Sequence, residues 1–302
     1  MIRLNNISKS FGAVAALNSI SVDFPKSKIT IIAGADGAGK STLFRIILGL
    51  EKSDSGDIFI NDEEVRKDYS KITNISGFMP ERFSLYTDLT VDENLDFFAD
   101  INNVPFKRRE SLKNRLLENT GMMNFRKRKA GALSGGMKQK LSLSSILLSS
   151  PDLIILDEPT TGVDPLSRIE FFLIIKMLKD EGKTILISTP YLDEAENGDH
   201  IIFLKGGEII KKGDIGELKK DVPFRLWRIL PKENIFELIE KLKGKNGPGE
   251  SFFIKGRYLN FIGEQKSSFF RSIDSLEITE QKPALEDIYM YYEKLGHNGA
   301  DR

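Results

Sequence analysis

Cysteine is absent from this chain of 302 residues, which excludes disulfides and thiolate metal sites and suits a reducing compartment. Long apolar runs are absent as well. No stretch approaches the roughly 20 residues that a membrane-spanning helix needs, and Met1-Ile2-Arg3-Leu4 opens no secretory signal. Any membrane role is therefore expected to come through a partner. The chain also lacks an excess of either charge, with 44 Lys and Arg against 44 Asp and Glu. No global field favours nucleic acid, and none is expected as a partner. What remains is an apolar share of 40%, ordinary for a soluble protein with a substantial core, in a chain long enough for one large domain and one small one.

The stretch Gly34-Ala35-Asp36-Gly37-Ala38-Gly39-Lys40-Ser41-Thr42 is the one around which the rest is organised. It reads glycine, four residues, then Gly-Lys-Ser. The apolar run Ile29–Ala33 precedes it as a buried strand and Leu43–Leu48 follows it as a helix, the context that a phosphate-binding loop requires. The glycines let the backbone curl so that successive N–H groups and the helix N-terminus face an anion. Lys40 adds a mobile positive charge for the outer phosphates, and the Ser41 hydroxyl suits Mg²⁺.

Residues 1–28 alternate apolar and polar, predicting antiparallel strands with one wet face; Phe11 lies between them, with the core as its usual destination and stacking on a flat base as the alternative. Gly49–Gly56 reads as a loop, Asp57–Ile60 as a strand, and Ile75–Met79 as a strand ending at Pro80. Thr90-Val91-Asp92-Glu93 is a capping box, and the pattern stays helical from about 90 to 150. Two basic clusters, Lys107–Arg109 and Arg126–Lys129, read as solvated helical faces rather than a nucleic-acid platform, because aromatics are not interleaved with them.

Two further stretches suggest chemistry. Leu133-Ser134-Gly135-Gly136-Met137 leads into a helix, so it is either an N-cap with a flexible turn or a second anion site. Leu153-Ile154-Ile155-Leu156-Asp157-Glu158 has the form of a buried parallel strand delivering acids to the carboxyl edge of a sheet. There the first carboxylate can hold Mg²⁺ through water and the second can orient or deprotonate an attacking water. Asp164-Pro165 is an N-cap and N1 pair for a helix over about 166–181 ended by Gly182. Thr184–Ser188 is the next buried strand, and a hairpin follows across Gly206-Gly207.

Taken together, the phosphate loop, Leu133-Ser134-Gly135-Gly136 and Asp157-Glu158, in that order and spacing, resemble the ATP-binding cassette family, the ATPase subunits of ABC transporters. The resemblance covers about residues 1–220. It implies an α/β fold with a RecA-like P-loop ATPase core, an antiparallel β subdomain and a helical subdomain at about residues 83–150. It implies ATP and Mg²⁺ as cofactors, and head-to-tail dimers in which each ATP lies between one subunit's phosphate loop and the other's Ser-Gly-Gly. Carried across by motif, Gly34 to Thr42 bind phosphates, Ser41 binds Mg²⁺, Asp157 assists the metal and Glu158 is the catalytic carboxylate. Ser134, Gly135 and Gly136 would touch the partner's γ-phosphate, Asp164 would communicate across the dimer, and Phe11 returns as the adenine-stacking residue.

This chain departs from the family's pattern in two places. Glu81 stands where a glutamine is usual, and its carboxylate can still meet the metal shell, so the expected effect is modest. Pro190 stands where a histidine normally contacts the γ-phosphate and the attacking water; it has no side-chain donor and no backbone N–H. The succeeding Tyr191–Glu196 fits the family otherwise, and His200, at the start of the next strand, reads as a surface residue rather than a replacement. The implication is a site that binds ATP and turns it over slowly.

Residues 221–302 read as a small α+β accessory domain with the order β-α-β-β-α-β, a ferredoxin-like arrangement, followed by a helix from Pro283. This tail resembles that of cassettes serving exporter-type permeases. The expected role is that of a cytoplasmic ATPase subunit peripheral to a membrane, partnered by an integral membrane permease subunit and a second ATPase subunit. The alternatives are a soluble ATPase of the same type acting on ribosomes or DNA, and a regulatory ATP-binding subunit with little turnover.

Overall fold

Alternation of apolar residues builds the first strands. In the computed structural model, which describes residues 2–65, 68–82, 85–220, 222–232, 234–242, 250–263 and 273–295, β1 (Ile2–Phe11) pairs antiparallel with β2 (Val14–Phe24). Leu4 lies opposite Val22 and Ile7 opposite Ile20, all of them buried, and their neighbours in sequence face outward. β3 (Ile29–Ala33) is buried throughout and runs through the phosphate loop into α1 (Lys40–Ile47). β4 (Ser55–Ile60) pairs with β1 and starts before the expected Asp57; β5 (Glu63–Glu64) extends that four-stranded sheet. The short α2 (Ser70–Thr73) leads to β6 (Ser76–Met79).

The helical stretch comprises α3 (Val91–Ile101), α4 (Phe106–Asn119) and α5 (Gly135–Leu147). α3 starts on the expected capping box: the Thr90 hydroxyl accepts from the Glu93 N–H, and the Glu93 carboxylate accepts from the Thr90 N–H at 2.7 Å. Arg126 departs from the expected solvated face. It follows a single 3₁₀ turn (Met123–Phe125), and its guanidinium donates to Asp92 at 2.7 Å and Glu110 at 2.8 Å. Lys113, 4% exposed, shares Asp92 at 3.2 Å and Glu110 at 3.5 Å with Arg126 and adds Asp96 at 2.7 Å. The acids of α3 and α4 draw these cations inward, which periodicity alone does not reveal.

β7 (Leu153–Asp157), α6 (Pro165–Asp180), β8 (Thr184–Thr189), β9 (His200–Lys205) and β10 (Glu208–Asp214) complete a six-stranded sheet of order β10-β9-β3-β8-β7-β6. β9, β3, β8, β7 and β6 run parallel. Their register decides the site, because Ala33 pairs with Thr189 and Asp157 with Ser188. The ends of β3, β8 and β7 therefore deliver the phosphate loop, Pro190 and Glu158 to one carboxyl edge, where such sheets bind ligands.

The chain divides into two compact units, Met1–Lys212 and Gly213–Arg302. In the second, α7 (Ile215–Lys220) precedes β11 (Leu226–Pro231), α8 (Ile235–Leu242), β12 (Ser251–Lys255), β13 (Tyr258–Ile262), β14 (Ser275–Gln281) and α9 (Leu285–Leu295). The antiparallel sheet has the order β12-β13-β11-β14. Since β13 pairs antiparallel with both β11 and β12, those two run parallel on either side of it, which is the split βαβ of the ferredoxin-like arrangement. Trp227, Ile229, Leu238, Leu242, Leu259 and Phe261 form its core. The helix expected at 266–272 and the loop expected at 244–249 lie outside the described residues.

Thr90→Ala removes the hydroxyl half of the α3 cap and is expected to cost about 1 kcal/mol of stability, seen as a lower urea midpoint with an unchanged slope.

Candidate functional site

The phosphate loop holds its shape through contacts that only glycine permits. Gly39 caps α1 at φ 103°, and a Cβ there would lie 2.4 Å from the Ala16 carbonyl oxygen. The hairpin between β9 and β10 closes over the same loop, the Gly207 N–H donating to Ala38 O at 3.0 Å. Inside the loop, Lys40 is only 3% exposed. Its Nζ donates to Gly34 O at 2.8 Å and Ala35 O at 3.1 Å, and lies 3.0 Å from Glu158 Oε1.

Glu158 is aimed at Lys40 by strain and by a neighbouring strand. Its φ is 49°, a left-handed conformation in a non-glycine residue, which costs about 1–3 kcal/mol and persists only where surrounding contacts impose it. Ser188 on β8 supplies one such contact. Its Oγ accepts from the Glu158 N–H at 2.9 Å and donates to Asp157 Oδ1 at 2.6 Å, so one hydroxyl holds both acids. Thr161 Oγ1 donates to Glu158 Oε2 at 3.4 Å.

A cavity of about 350 Å³ gathers Asp36, Gly37, Gly39 to Thr42, Glu81, Glu158 and Thr161, with Val14 and Ala16 at its rim. Asp157 is 2% exposed and sits behind it. Phe11 also lies outside its lining. At 49% exposure, with Lys9 Nζ 5.0 Å from its ring centroid, Phe11 corrects the expectation of a core phenylalanine. It pairs with Val14 at the tip of the β1–β2 hairpin, where Val14 is itself 66% exposed.

Ser134, Gly135 and Gly136 also fall outside the cavity lining. Ser134 is the N-cap of α5 and accepts from the Met137 N–H at 3.3 Å. Ser134 and Gly135 are exposed, whereas Gly136 is buried so closely that a Cβ would lie 2.4 Å from that of Ser167. Asp164 caps α6 by accepting from the Ser167 N–H at 2.9 Å, and hydrogen bonding to Ser167 holds its carboxyl below the usual range. The exposed Ser-Gly start of α5 and the Asp164 turn thus meet at Gly136 and Ser167.

No side-chain donor occupies position 190, and the register excludes His200 as a substitute. His200 is half-buried and pairs with Thr30 near the amino end of β3, whereas Thr189 pairs with Ala33 at its carboxyl end and Pro190 follows that pair. The residues that sequence reasoning missed lie next to that edge. Glu194, 2% exposed, accepts from Thr160 Oγ1 and from Thr189 Oγ1, each at 2.5 Å. Burial pushes its carboxyl above the usual range against the opposing pull of those hydroxyls and of Arg168. The motif strings contain Thr160, Ser188 and Thr189, but their partnerships exist only once β7 and β8 are side by side.

Among the described residues no group of three or more His, Cys, Asp or Glu is placed to hold a metal ion. The oxygen donors present, Ser41 and Glu81 in the cavity with Asp157 behind, suit Mg²⁺. That ion takes one or two protein oxygens and completes its shell with water and substrate phosphates.

Comparison with known proteins gives a consistent picture. The family model described as ABC transporter matches residues 17–161. A probable multidrug ABC transporter ATP-binding protein, YbhF of Escherichia coli, is 35% identical over 298 residues, 96% of this chain and 51% of that protein. The chain thus spans about half the length of that relative. A lantibiotic transport ATP-binding protein, SrtF of Streptococcus pyogenes, is 38% identical over 70% of this chain and 89% of its own length. Among solved structures, the dimeric MJ0796 bacterial ABC transporter cassette is 27% identical with a TM-score of 0.64, covering 71% of this chain and 99% of its own. The dimeric post-hydrolysis state of MJ0796 bound to ADP and Pi is likewise 27% identical with a TM-score of 0.63, covering 71% and 99% of the two chains.

Ser188→Ala takes the donor from buried Asp157 Oδ1 and an acceptor from the Glu158 N–H. A loss of about 1–3 kcal/mol is expected, measured by urea denaturation, and Ser188→Thr should recover part of it.

Proposed function

The chain belongs to the ABC transporter family of ATPase cassettes, and from that premise we propose that it binds and hydrolyses ATP to drive a separate membrane permease. The observation that carries this reading is the Lys40 ammonium, buried between two phosphate-loop carbonyls and Glu158 in a cavity that also holds Ser41, Thr42 and Glu81.

ATP entering as substrate brings its phosphates to the N–H groups of Gly37 to Lys40 and to the start of α1, where the helix dipole favours an anion. Lys40 then exchanges Glu158 for phosphate oxygens. Glu158, relieved of its counter-ion, is free to accept a proton from an attacking water. Ser41 and Glu81 would hold Mg²⁺, with Asp157 behind them; the ion, when bound, neutralises charge on the phosphates. Phe11, exposed at the hairpin tip, would stack on the adenine.

Ser134, Gly135 and Gly136 have no nucleotide to touch within their own chain's cavity, which supports a head-to-tail arrangement in which they complete a second subunit's site. Asp164, packed beside them through Ser167 and Gly136, would carry the state of one site to the other. Among the described residues no helix is long and apolar enough to cross a membrane; the partner proposed for transport is an integral membrane permease. The multidrug and lantibiotic relatives support export, with this chain acting at the inner face of the membrane.

Pro190 gives the site one specific weakness. Without a side-chain donor at the γ-phosphate, this chain's own site is proposed to turn over slowly while its Ser-Gly-Gly still serves a partner's ATP.

Steady-state hydrolysis by the purified chain tests this. Glu158→Gln is expected to lower the rate by about a hundredfold or more and Pro190→His to raise it. Rapid turnover that needs Glu158 and ignores Pro190→His would remove the slow-site proposal. Copurification should recover an integral membrane protein; ribosomes or DNA in its place would reject the transport reading.

A further inference from the structure

Glu194 buries a carboxylate that neither phosphate binding nor proton transfer uses. Isolating such a charge from water costs several kcal/mol unless it is paired and hydrogen-bonded. Here both oxygens are engaged by hydroxyls from different segments. Thr160, two residues beyond Glu158, donates to Oε1, and Thr189, the residue before Pro190, donates to Oε2. Thr189 Oγ1 in turn accepts from the Tyr191 N–H at 3.0 Å. Arg168 Nε on α6 lies 3.1 Å from Oε1 as an ion-pair contact, and its guanidinium sits 4.7 Å from the Tyr191 ring centroid.

We propose that Glu194 is a positioning residue for hydrolysis, a clamp that ties the segment after β7 to the corner after β8 and so holds Glu158 in its strained, Lys40-facing conformation. The left-handed Glu158 needs restraint on both sides. Ser188 holds its own N–H, and Glu194, through Thr160, holds the chain that leaves it. A carboxylate suits this task because each oxygen accepts independently, whereas a glutamine accepts at one end only and obliges one threonine to reverse its hydroxyl. The clamp also fixes the Pro190 corner, so the place where the family carries a histidine is held rigid although its side chain makes no polar contact. This inference rests on the ATPase reading and adds to it the residues that set the geometry of the hydrolytic carboxylate.

The test uses the full chain with Thr160→Val, Thr189→Val and Glu194→Gln, and with Thr160→Ser and Thr189→Ser as rescuing variants. ATP hydrolysis and amide hydrogen exchange across residues 158–162 are measured on each. The valine and glutamine variants should lose about tenfold in kcat while KM for Mg·ATP stays within about twofold, a split that marks lost transition-state geometry rather than lost binding. Exchange at 158–162 should quicken in the same variants, and the serine variants should restore both readouts. Thr160→Val combined with Glu194→Gln should be no worse than the poorer single variant, because both open one clamp. Unchanged kcat and exchange in the valine variants would overturn the proposal. So would parallel losses of kcat, nucleotide affinity and Tm in valine and serine variants alike, the pattern of a merely structural residue. A wild-type chain that binds no nucleotide would instead overturn the ATPase reading, and the exchange measurement would still decide the clamp.

Discussion

Burying an ammonium costs several kcal/mol unless its charge is matched and its protons are accepted. Lys40 meets that demand with two carbonyls of its own loop and one carboxylate from a strand far away in sequence. The loop supplies the carbonyls only if its glycines take the conformations seen at Gly37 and Gly39. The carboxylate arrives only if β7 lies in register beside β8 and β8 beside β3. The charge at the centre of the cavity thus constrains the backbone around it and the order of the central strands. It also holds binding and hydrolysis in opposition, because the group that neutralises Lys40 without substrate is the one proposed to act on water once phosphate takes its place.

The same sheet edge concentrates the molecule's local strain. Glu158 adopts a conformation that glycine would accept freely, and hydroxyls on neighbouring segments restrain it. Ser188 joins Asp157 to Glu158, and Thr160 and Thr189 converge on Glu194. Strain of this kind is stable only when surrounding bonds over-determine it. Away from this edge, Ser134 and Asp164 cap their helices as ordinary N-caps, and the close fit of Gly136 against Ser167 brings the two caps together. Their exposure on one side and tight packing on the other suit the proposed head-to-tail contact.

Much of this was legible in the residues because the determining interactions are short in sequence. The phosphate loop is a contiguous stretch, the Thr90–Glu93 box closes over three residues, and Asp164-Pro165 announces α6 by itself. The five-residue buried strand ending in Asp157 was equally plain, since four apolar residues followed by acids have few other uses in an α/β protein. Arg126 was misjudged because its partner Asp92 lies 34 positions away. For Phe11 the residues alone favour burial, as for most aromatic rings, whereas its exposure at the hairpin tip agrees with the stacking role that the resemblance implies.

The order of strands and helices, the anion-binding turn and the supply of acids are written locally in the chain, because propensity, capping and glycine placement act over a few neighbouring residues. The sequence also made plain that position 190 has no side-chain donor. Long-range contacts were needed to settle which acid faces Lys40, that Glu158 is held in a left-handed turn, and that Glu194 binds two threonines. Those outcomes depend on hydrogen bonds spanning 30, 31 and 34 residues. Such contacts form only after parallel strands settle into one register, and register is a property of the packed sheet as a whole.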